Sequence, residues 1–234
     1  MSVLEALLGL QAVDTEIAQL EHRLAHLAEA ETARVAEQRL AALSSDQRKV
    51  GDELSRLSAA VEANETAVAE IRRQTDRLNG QLRTVIAPRE AEALQHEIRV
   101  LAERASALDD DSIVAIERSE VLDAEAGRLE VEARRVADEV SAARGALEEA
   151  AATVATTLSD ARVRRDALAG RIDVSAVASY DKKRRDLAGV AVARIARTTC
   201  GGCHLDLSPS EVDAVKRLDV DVRECPNCTR WLVV

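Results

Sequence analysis

The segment NGQLRTVIAP at residues 79–88 interrupts a chain that has a helical pattern on both sides. Glycine is costly inside a helix, and proline disfavours helical backbone at the residue that precedes it. Proline is, however, well suited to the first turn of a new helix. The segment therefore predicts a tip, near residues 79–89, between two helical arms.

Both arms carry apolar residues at alternating three- and four-residue spacing, which is typical of a coiled coil. In the first arm the pattern slips between Leu27 and Leu40, which predicts a local unwinding or bend there. In the second arm large apolar residues alternate with alanine, which lets two helices approach closely. We therefore expect a mainly α fold, a long antiparallel helical hairpin over residues 1–172. The apolar pattern is clearest at Ile17, Leu20, Leu24, Leu54, Leu57, Val61, Leu94, Ile98, Leu101 and Leu108.

One stretch of the second arm departs from this pattern. The extrapolated apolar positions fall on Ser112, Ala115 and Ser119, while three large apolar residues lie partly off them. One interpretation is a bend or local repacking of the hairpin, and the other is an exposed apolar patch for a partner helix. We refer to the three residues below as the apolar patch: Ile113, Val114 and Ile116.

Composition and charge exclude several classes of protein. Among 234 residues there is no Phe, one Trp and one Tyr, so a large globular core is not expected. No apolar run is long enough to span a membrane, and the N-terminus lacks the features of a signal peptide. Residues 1–170 contain 21 Lys and Arg against 33 Asp and Glu, so this region should repel nucleic acid. Cysteine occurs only in closely spaced pairs, which favours a reducing, cytoplasmic location.

The C-terminal residues 173–234 have a different pattern. A short helix is expected to end near Gly189, and VAVARIAR at 190–197 then predicts a strand. Ser208-Pro-Ser-Glu211 has the spacing of a capping box and predicts a helix to about Leu218. VDVRE at 220–224 should lead into the second cysteine pair, and TRWLVV at 229–234 should form a terminal strand whose Trp231 covers a small core.

The four cysteines form two pairs, Cys200-Gly-Gly-Cys203 and Cys225-Pro-Asn-Cys228. Two such pairs at this separation predict one structural Zn²⁺ held by four thiolates in a zinc ribbon. Four sulfur ligands leave no open position for substrate, which argues against catalysis and against a small-molecule substrate. The alternatives are a redox motif, a disulfide, or replacement of one thiolate by His204. A redox pair would open a helix in a βαβ unit, and the pattern shows none.

Basic residues near the ribbon are the candidates for binding nucleic acid or a protein partner. A cluster at 182–185 could contact phosphate, and three arginines on or near the predicted ribbon strands could extend that surface. A solvated basic face, or a contact with the acidic hairpin, explains the cluster equally well. The candidate residues are Lys182, Lys183, Arg184, Arg185, Arg194, Arg197 and Arg230.

These features resemble a bacterial family that joins a coiled-coil hairpin to a four-cysteine zinc ribbon and was once classed as a domain of unknown function. The resemblance covers the whole chain and rests on PREAEALQHEI at 88–98, Tyr180 with its following basic run, CGGCHLDLSPSE and CPNCTRW. It implies a long hairpin with a C-terminal ribbon and zinc on the four cysteines. Some relatives are linked to an alternative sigma factor and to RNA, as adaptors or chaperones. One departure is Thr229, where such ribbons commonly have glycine.

Two functions follow as hypotheses. The first is a non-enzymatic adaptor, a rigid hairpin with a ribbon that docks on a protein partner near the transcription or RNA machinery. The alternative is a nucleic-acid-binding protein that uses the ribbon and Lys182–Arg185. Polymerase secondary-channel factors also join a hairpin to a small zinc domain, but they carry acidic residues at the tip, where this chain has Arg83 and Arg89.

Overall fold

A computed structural model of the protein describes residues 2–219 and 223–234. Its elements group into two compact units. The terminal unit comprises Met1–Glu31 and Arg144–Val234, and the hairpin unit comprises Thr32–Ala143. In chain order the elements are α1 (Val3–Ala25), α2 (Ala28–Leu82), α3 (Pro88–Ala169), α4 (Val174–Asp186), β1 (Val192–Ala196), β2 (Thr199–Cys200), α5 (Pro209–Arg217) and β3 (Trp231–Val233).

The predicted fold class is confirmed, because α2 and α3 form a helical hairpin and the four cysteines lie in a small C-terminal ribbon. The loop at the tip is shorter than predicted: α2 continues through Asn79-Gly80 to Leu82, and α3 begins at Pro88. A glycine costs a helix only about 1 kcal/mol. Burial of Leu78 in the hairpin core outweighs that cost and keeps this turn helical.

The hairpin unit buries a narrow row of apolar residues between its two helices. Near the tip the core consists of Ile71, Leu78 and Leu101. Farther along, Arg39 of α2 forms an ion pair with Glu132 of α3 at 2.5 Å. These contacts lie between α2 and α3, as expected of a coiled-coil hairpin.

The apolar patch is exposed, and α3 is helical throughout this stretch. Ala115 is buried, and the side-chain amide of Asn64 donates a hydrogen bond to the Ser112 hydroxyl at 3.2 Å. Ser112 and Ala115 therefore lie between the two helices, at the positions that the extrapolated apolar pattern predicts. The three patch residues are consequently left outside, with exposed fractions of 54% for Ile113, 64% for Val114 and 47% for Ile116.

The first arm consists of two helices instead of one. Helix α1 ends at Ala25 and α2 begins at Ala28, so the interruption lies at His26-Leu27. A local unwinding or bend was expected between Leu27 and Leu40; the break lies at the first residue of that interval, and α2 is helical from Ala28 onward. The reason is that an Ala- and Glu-rich stretch with strong helix propensity needs no regular apolar pattern to stay helical.

In the terminal unit, α1 packs its apolar face against α4 and the sheet. The cluster contains Leu4, Leu7, Leu10, Tyr180, Ala191, Val192 and Val233. Because α1 shares this core with the C-terminal elements, it belongs to the same compact unit as they do. The boundaries between the two units lie after residues 31 and 143, whereas the sequence pattern placed a domain boundary between residues 172 and 173.

The sheet has the order β2-β1-β3, with β1 antiparallel to β2 and parallel to β3. Helix α4 ends at Asp186, before the expected Gly189, because Ala188 and Gly189 both have positive φ. The predicted capping box of α5 is present, with Ser208 and Glu211 bonded to each other's backbone N–H. Of the predicted segment 220–224, residues 220–222 lie outside the described residues. No helix in the described part of the chain combines the length and apolarity that crossing a membrane requires.

Candidate metal centre

The ribbon strands and turns bring the four cysteines together. The four Sγ atoms all lie within 4.8 Å of one another. The Sγ atoms of Cys200 and Cys228 are 3.9 Å apart, and so are those of Cys203 and Cys225. Each close contact therefore joins one cysteine pair to the other, so that the two pairs form a single site.

The distances fit a tetrahedral metal ion. With metal–sulfur bonds of about 2.3 Å, the sulfurs of a tetrahedral Zn²⁺ site are about 3.8 Å apart. A disulfide needs an S–S distance of about 2.05 Å, and all four cysteines are free. His204 is not part of the cluster, since the four described ligand atoms are all cysteine sulfurs. The donor set is soft and complete, as in a structural site.

The two cysteine pairs sit in nearly identical turns. In each turn the backbone carbonyl of the first cysteine accepts a hydrogen bond from the N–H four residues later. The distances are 2.8 Å from the N–H of His204 and 2.9 Å from that of Thr229. The N–H of each first cysteine donates to the carbonyl five residues later, at 3.0 Å for Cys200 and 2.8 Å for Cys225. The site is therefore built from a repeated eight-residue unit, 199–206 and 224–231, closed in each case by a bridge between its ends.

The residue after each second cysteine has left-handed backbone. His204 has φ of 59° and Thr229 has φ of 60°. This conformation usually favours glycine, and a β-branched residue rarely adopts it. The turn is therefore formed despite the absence of the family's usual glycine at Thr229, and the chain carries backbone strain beside both cysteine pairs.

Gly201 and Gly202 are required by close approach. A Cβ at Gly201 would lie 2.9 Å from the carbonyl oxygen of Arg194, a backbone atom of β1. A Cβ at Gly202 would lie 2.4 Å from Cδ of Arg230 and 3.1 Å from Cβ of Ala193. The first turn thus lies directly on the strand, which explains the two glycines better than backbone flexibility does.

The thiols are partly embedded in an apolar cluster. Cys200 and Cys225 are buried against α5 and β3, and their neighbours are Ala193, Leu207, Val212, Val215 and Leu232. Burial raises the pKa of the Cys225 thiol to about 12. Burial also opposes ionisation of Cys228, but the backbone N–H and side chain of Arg230 lower the pKa of that thiol to about 7. Because metals bind thiolates, binding here must release protons and must weaken as the pH falls.

Three of the seven candidate basic residues are used inside the terminal unit. Lys183 forms an ion pair with Glu224 at 2.6 Å and lies 5.0 Å from the centre of the Trp231 ring. Arg184 donates to the backbone carbonyl of Asp14 at 3.1 Å. Arg230 donates to the backbone carbonyls of Val190 and Leu187, in the segment between α4 and β1, at 2.9 and 3.1 Å. These contacts hold α1, α4 and the ribbon together.

The other four candidates are exposed, and none makes a hydrogen bond or ion pair with a described residue: Lys182, Arg185, Arg194 and Arg197. Two belong to α4 and two to the strand β1 or the turn after it. The structure thus divides the predicted basic surface into anchoring and exposed members.

Sequence reasoning missed a buried polar cluster that fixes α4 on α1. The Asp14 carboxylate is 4% exposed and accepts a hydrogen bond from the Tyr180 hydroxyl at 2.8 Å. Arg165 of α3 donates to the same carboxylate at 3.2 Å and to Asp181 at 2.7 Å. The signal was available, since Asp14 lies four residues after Leu10, on the apolar face of α1.

Comparison with known proteins gives matches over nearly the whole chain. Residues 10–188 match the family described as CT398-like coiled coil hairpin domain, and residues 199–232 match the C4-type zinc ribbon domain. A Mycobacterium tuberculosis protein described only as uncharacterized is 25% identical over 232 residues, covering 95% of this chain and 91% of that protein.

Three solved structures share the fold. CT398 from Chlamydia trachomatis superposes with a TM-score of 0.81 at 18% identity, covering 98% of this chain and 96% of that one. A Mycobacterium smegmatis protein gives 0.68 at 27% identity, covering 99% and 97%. The HP0958 protein from Helicobacter pylori gives 0.57 at 18% identity, with the same coverage. The resemblance seen in the sequence is thereby confirmed.

Proposed function

Because this chain belongs to the CT398-like coiled coil hairpin family and carries a C4-type zinc ribbon, we propose that it is a non-enzymatic adaptor. In this proposal the ribbon docks on a protein partner and the hairpin acts as a rigid arm. The setting is the cytoplasm, close to the transcription or RNA machinery. The metal is one structural Zn²⁺ held by Cys200, Cys203, Cys225 and Cys228.

The observation that carries the proposal is the closed four-sulfur site. Four thiolates fill a tetrahedral ion and leave no position for a water or a substrate. What the metal supplies is folding free energy, because a ribbon of this size buries too little apolar surface by itself. The ion then fixes the surface that surrounds it, and a fixed surface is what docking on a protein requires.

The ribbon is also joined firmly to a helical scaffold. Trp231 of β3 packs beside α1 and α4, and Arg230 donates to carbonyls in the segment that follows α4. A partner bound to the ribbon is therefore held in a defined position on α1 and α4. That property supports an adaptor role better than a role as a flexible tether.

The test is a pulldown from native lysate that compares the intact protein with a Cys225→Ser/Cys228→Ser variant. A matched control is Ser208→Ala, which removes a helix cap in the ribbon but no metal ligand. Bound proteins are identified by mass spectrometry and bound RNA by sequencing. The proposal predicts a stoichiometric protein that is retained by intact protein and control and lost with the zinc site. Recovery of the same proteins by all three baits contradicts it.

A second function is supported by the four exposed cations Lys182, Arg185, Arg194 and Arg197. They lie in residues 171–234, which contain 11 Lys and Arg against 9 Asp and Glu, so RNA or DNA could bind there through phosphate contacts. Binding of a single-stranded RNA should then fall steeply with salt and be abolished when all four become alanine.

The matched control for this test carries four alanines in the hairpin unit, at Arg99, Arg104, Arg118 and Arg128. It changes the net charge by the same amount. Equal loss of RNA binding in both variants would mean that only overall charge matters. No binding by the intact protein at low salt rules the second function out.

A further inference from the structure

Exposed charges on one face of α2 form an alternating pattern. Glu65, Arg72, Asp76 and Arg83 are spaced by seven, four and seven residues, so the three within α2 share one helix face and Arg83 follows directly after its end. All four are exposed, and none makes a hydrogen bond or ion pair with a described residue. By contrast, Glu70 on another face of the same helix has Arg73 at 3.6 Å and Arg77 at 3.7 Å.

The pattern is complementary to itself when it is read backwards. Its signs run minus, plus, minus, plus, and its spacing is symmetric about position 74. Two copies of this face placed antiparallel, with a two-fold axis near that position, bring Glu65 opposite Arg83 and Arg72 opposite Asp76. An isologous contact has this property, since each pairing between the copies occurs twice.

The same register brings the hairpin tip to a groove that is lined by both apolar and acidic residues. Ile86 is 96% exposed in the loop at the tip, and the register places it opposite position 62 of the other copy. That position lies in a groove between α2 and α3 with a volume of about 460 Å³, which we call the acidic groove. The groove is lined by Leu54, Ser58, Val61, Glu62, Glu65, Ile116, Ser119 and Asp123.

Charge distinguishes the two surfaces that would meet. Residues 72–104, around the tip, contain seven arginines and five acidic residues. Residues 52–70 and 109–125, around the groove, contain twelve acidic residues and two arginines. A basic tip with an exposed isoleucine therefore matches a groove that is lined by apolar and acidic residues, and both belong to the hairpin unit.

From these observations we propose that the protein forms an antiparallel dimer through its hairpin unit, with the tip of each copy seated in the acidic groove of the other. The occupant of the groove is a second copy of this chain. Because Ile116 lines the groove, this contact also covers part of the apolar patch. The proposal is independent of the adaptor function and stands if that function fails.

The size of the contact is adequate. About 22 residues of helix separate the tip from the groove, which is about 33 Å at 1.5 Å per residue. Two adjacent helices present a surface about 20 Å wide. The product is about 700 Å² per copy, close to the roughly 800 Å² per partner of a standard specific interface.

The experiment is sedimentation velocity on the full-length, zinc-loaded protein across the micromolar range. We expect a reversible monomer–dimer equilibrium that weakens with added salt. Arg72→Asp places like charges opposite each other and should raise the dimer Kd by about tenfold or more. The swap Arg72→Asp/Asp76→Arg restores the pairing and should return the Kd to that of the unmodified protein.

Two further variants complete the test. Ile86→Asp should raise the Kd by about tenfold or more, because a carboxylate cannot enter an apolar groove with an acidic rim. Arg73→Asp is the control, with the same charge change one residue away and off the face. The proposal is overturned by a monomer at all concentrations, by a dimer insensitive to Arg72→Asp and Ile86→Asp, by equal weakening with Arg73→Asp, or by a swap that fails to restore association. Circular dichroism verifies the helix content of each variant.

Discussion

Gln11 of α1 joins the helix to the first ribbon strand, and its replacement by methionine should destabilise the terminal unit. Its side-chain oxygen accepts hydrogen bonds from the N–H of Ala191 at 2.6 Å and of Val192 at 2.8 Å. Its side-chain nitrogen donates to the carbonyl of Val192 at 2.7 Å. The Gln11 amide thus forms the hydrogen bonds to the backbone at the start of β1 that a neighbouring strand would otherwise form.

The magnitude follows from the groups left without a partner. Gln11 is 9% exposed, Val192 is 1% exposed and Ala191 is fully buried, so water does not replace the amide readily. Each buried polar backbone group left unpaired costs about 1–3 kcal/mol. With three such groups we expect Gln11→Met to lower the free energy of unfolding by at least about 3 kcal/mol. Methionine keeps the side-chain volume nearly constant, so the loss reports hydrogen bonding and not a cavity.

The assay is urea unfolding followed by tryptophan fluorescence. Trp231 is the only tryptophan of the chain and packs against the α1 cluster, so its emission reports on the terminal unit. The control is Gln19→Met, the same change at an exposed position of α1, which should stay within about 0.5 kcal/mol of the unmodified protein. Equal midpoints for the two variants would refute the assigned role of the Gln11 amide.

Three other predictions concern the terminal unit. Tyr180→Phe removes a hydrogen bond to the buried Asp14 carboxylate and should cost about 1.5–3 kcal/mol in the same urea assay, whereas a change below about 0.5 kcal/mol would contradict that contact. Burial and the hydrogen bond to Asp14 raise the pKa of Tyr180 above its ordinary value of 10.0. The contribution of Tyr180 to the free energy of unfolding is therefore fully present below pH 10 and declines above it, because there only the unfolded chain ionises. Absorbance at 295 nm should show no tyrosinate until the unit unfolds. Thr229→Gly relieves left-handed strain and should stabilise the zinc-loaded protein by about 0.5–1 kcal/mol in a thermal melt, while Thr198→Gly, which lacks positive φ, should not.

Much of the fold was predictable from local patterns. The start of α3 at Pro88 and the capping box of Ser208 follow from signals within four residues of sequence. The cysteine cluster follows from the chemistry of four thiols at ribbon spacing. Each of these features depends only on neighbouring residues or on one chemical type, which a sequence displays directly.

The features that escaped prediction depend on distant residues. Gln11 bonds to residues about 180 positions away, and Asp14 bonds to Tyr180 across 166 positions. No spacing rule connects such residues. What the sequence does show is that a polar residue stands four positions after Leu7 and another four positions after Leu10, on a face that should be apolar. That signal identifies buried polar side chains but not their partners.

The basic residues show why consecutive charges in a sequence are a weaker indication of a binding surface than charges that recur at helical spacing. Successive residues of a helix point about 100° apart, so the four cations at 182–185 spread around most of α4. Lys183 and Arg184 accordingly turn inward to Glu224 and Asp14, and only their neighbours stay free for a partner. Charges spaced by seven and four residues lie on one face instead, as in α2 from Glu65 to Asp76. The periodic set is far less conspicuous in the sequence, yet its members within α2 lie together on one helix face.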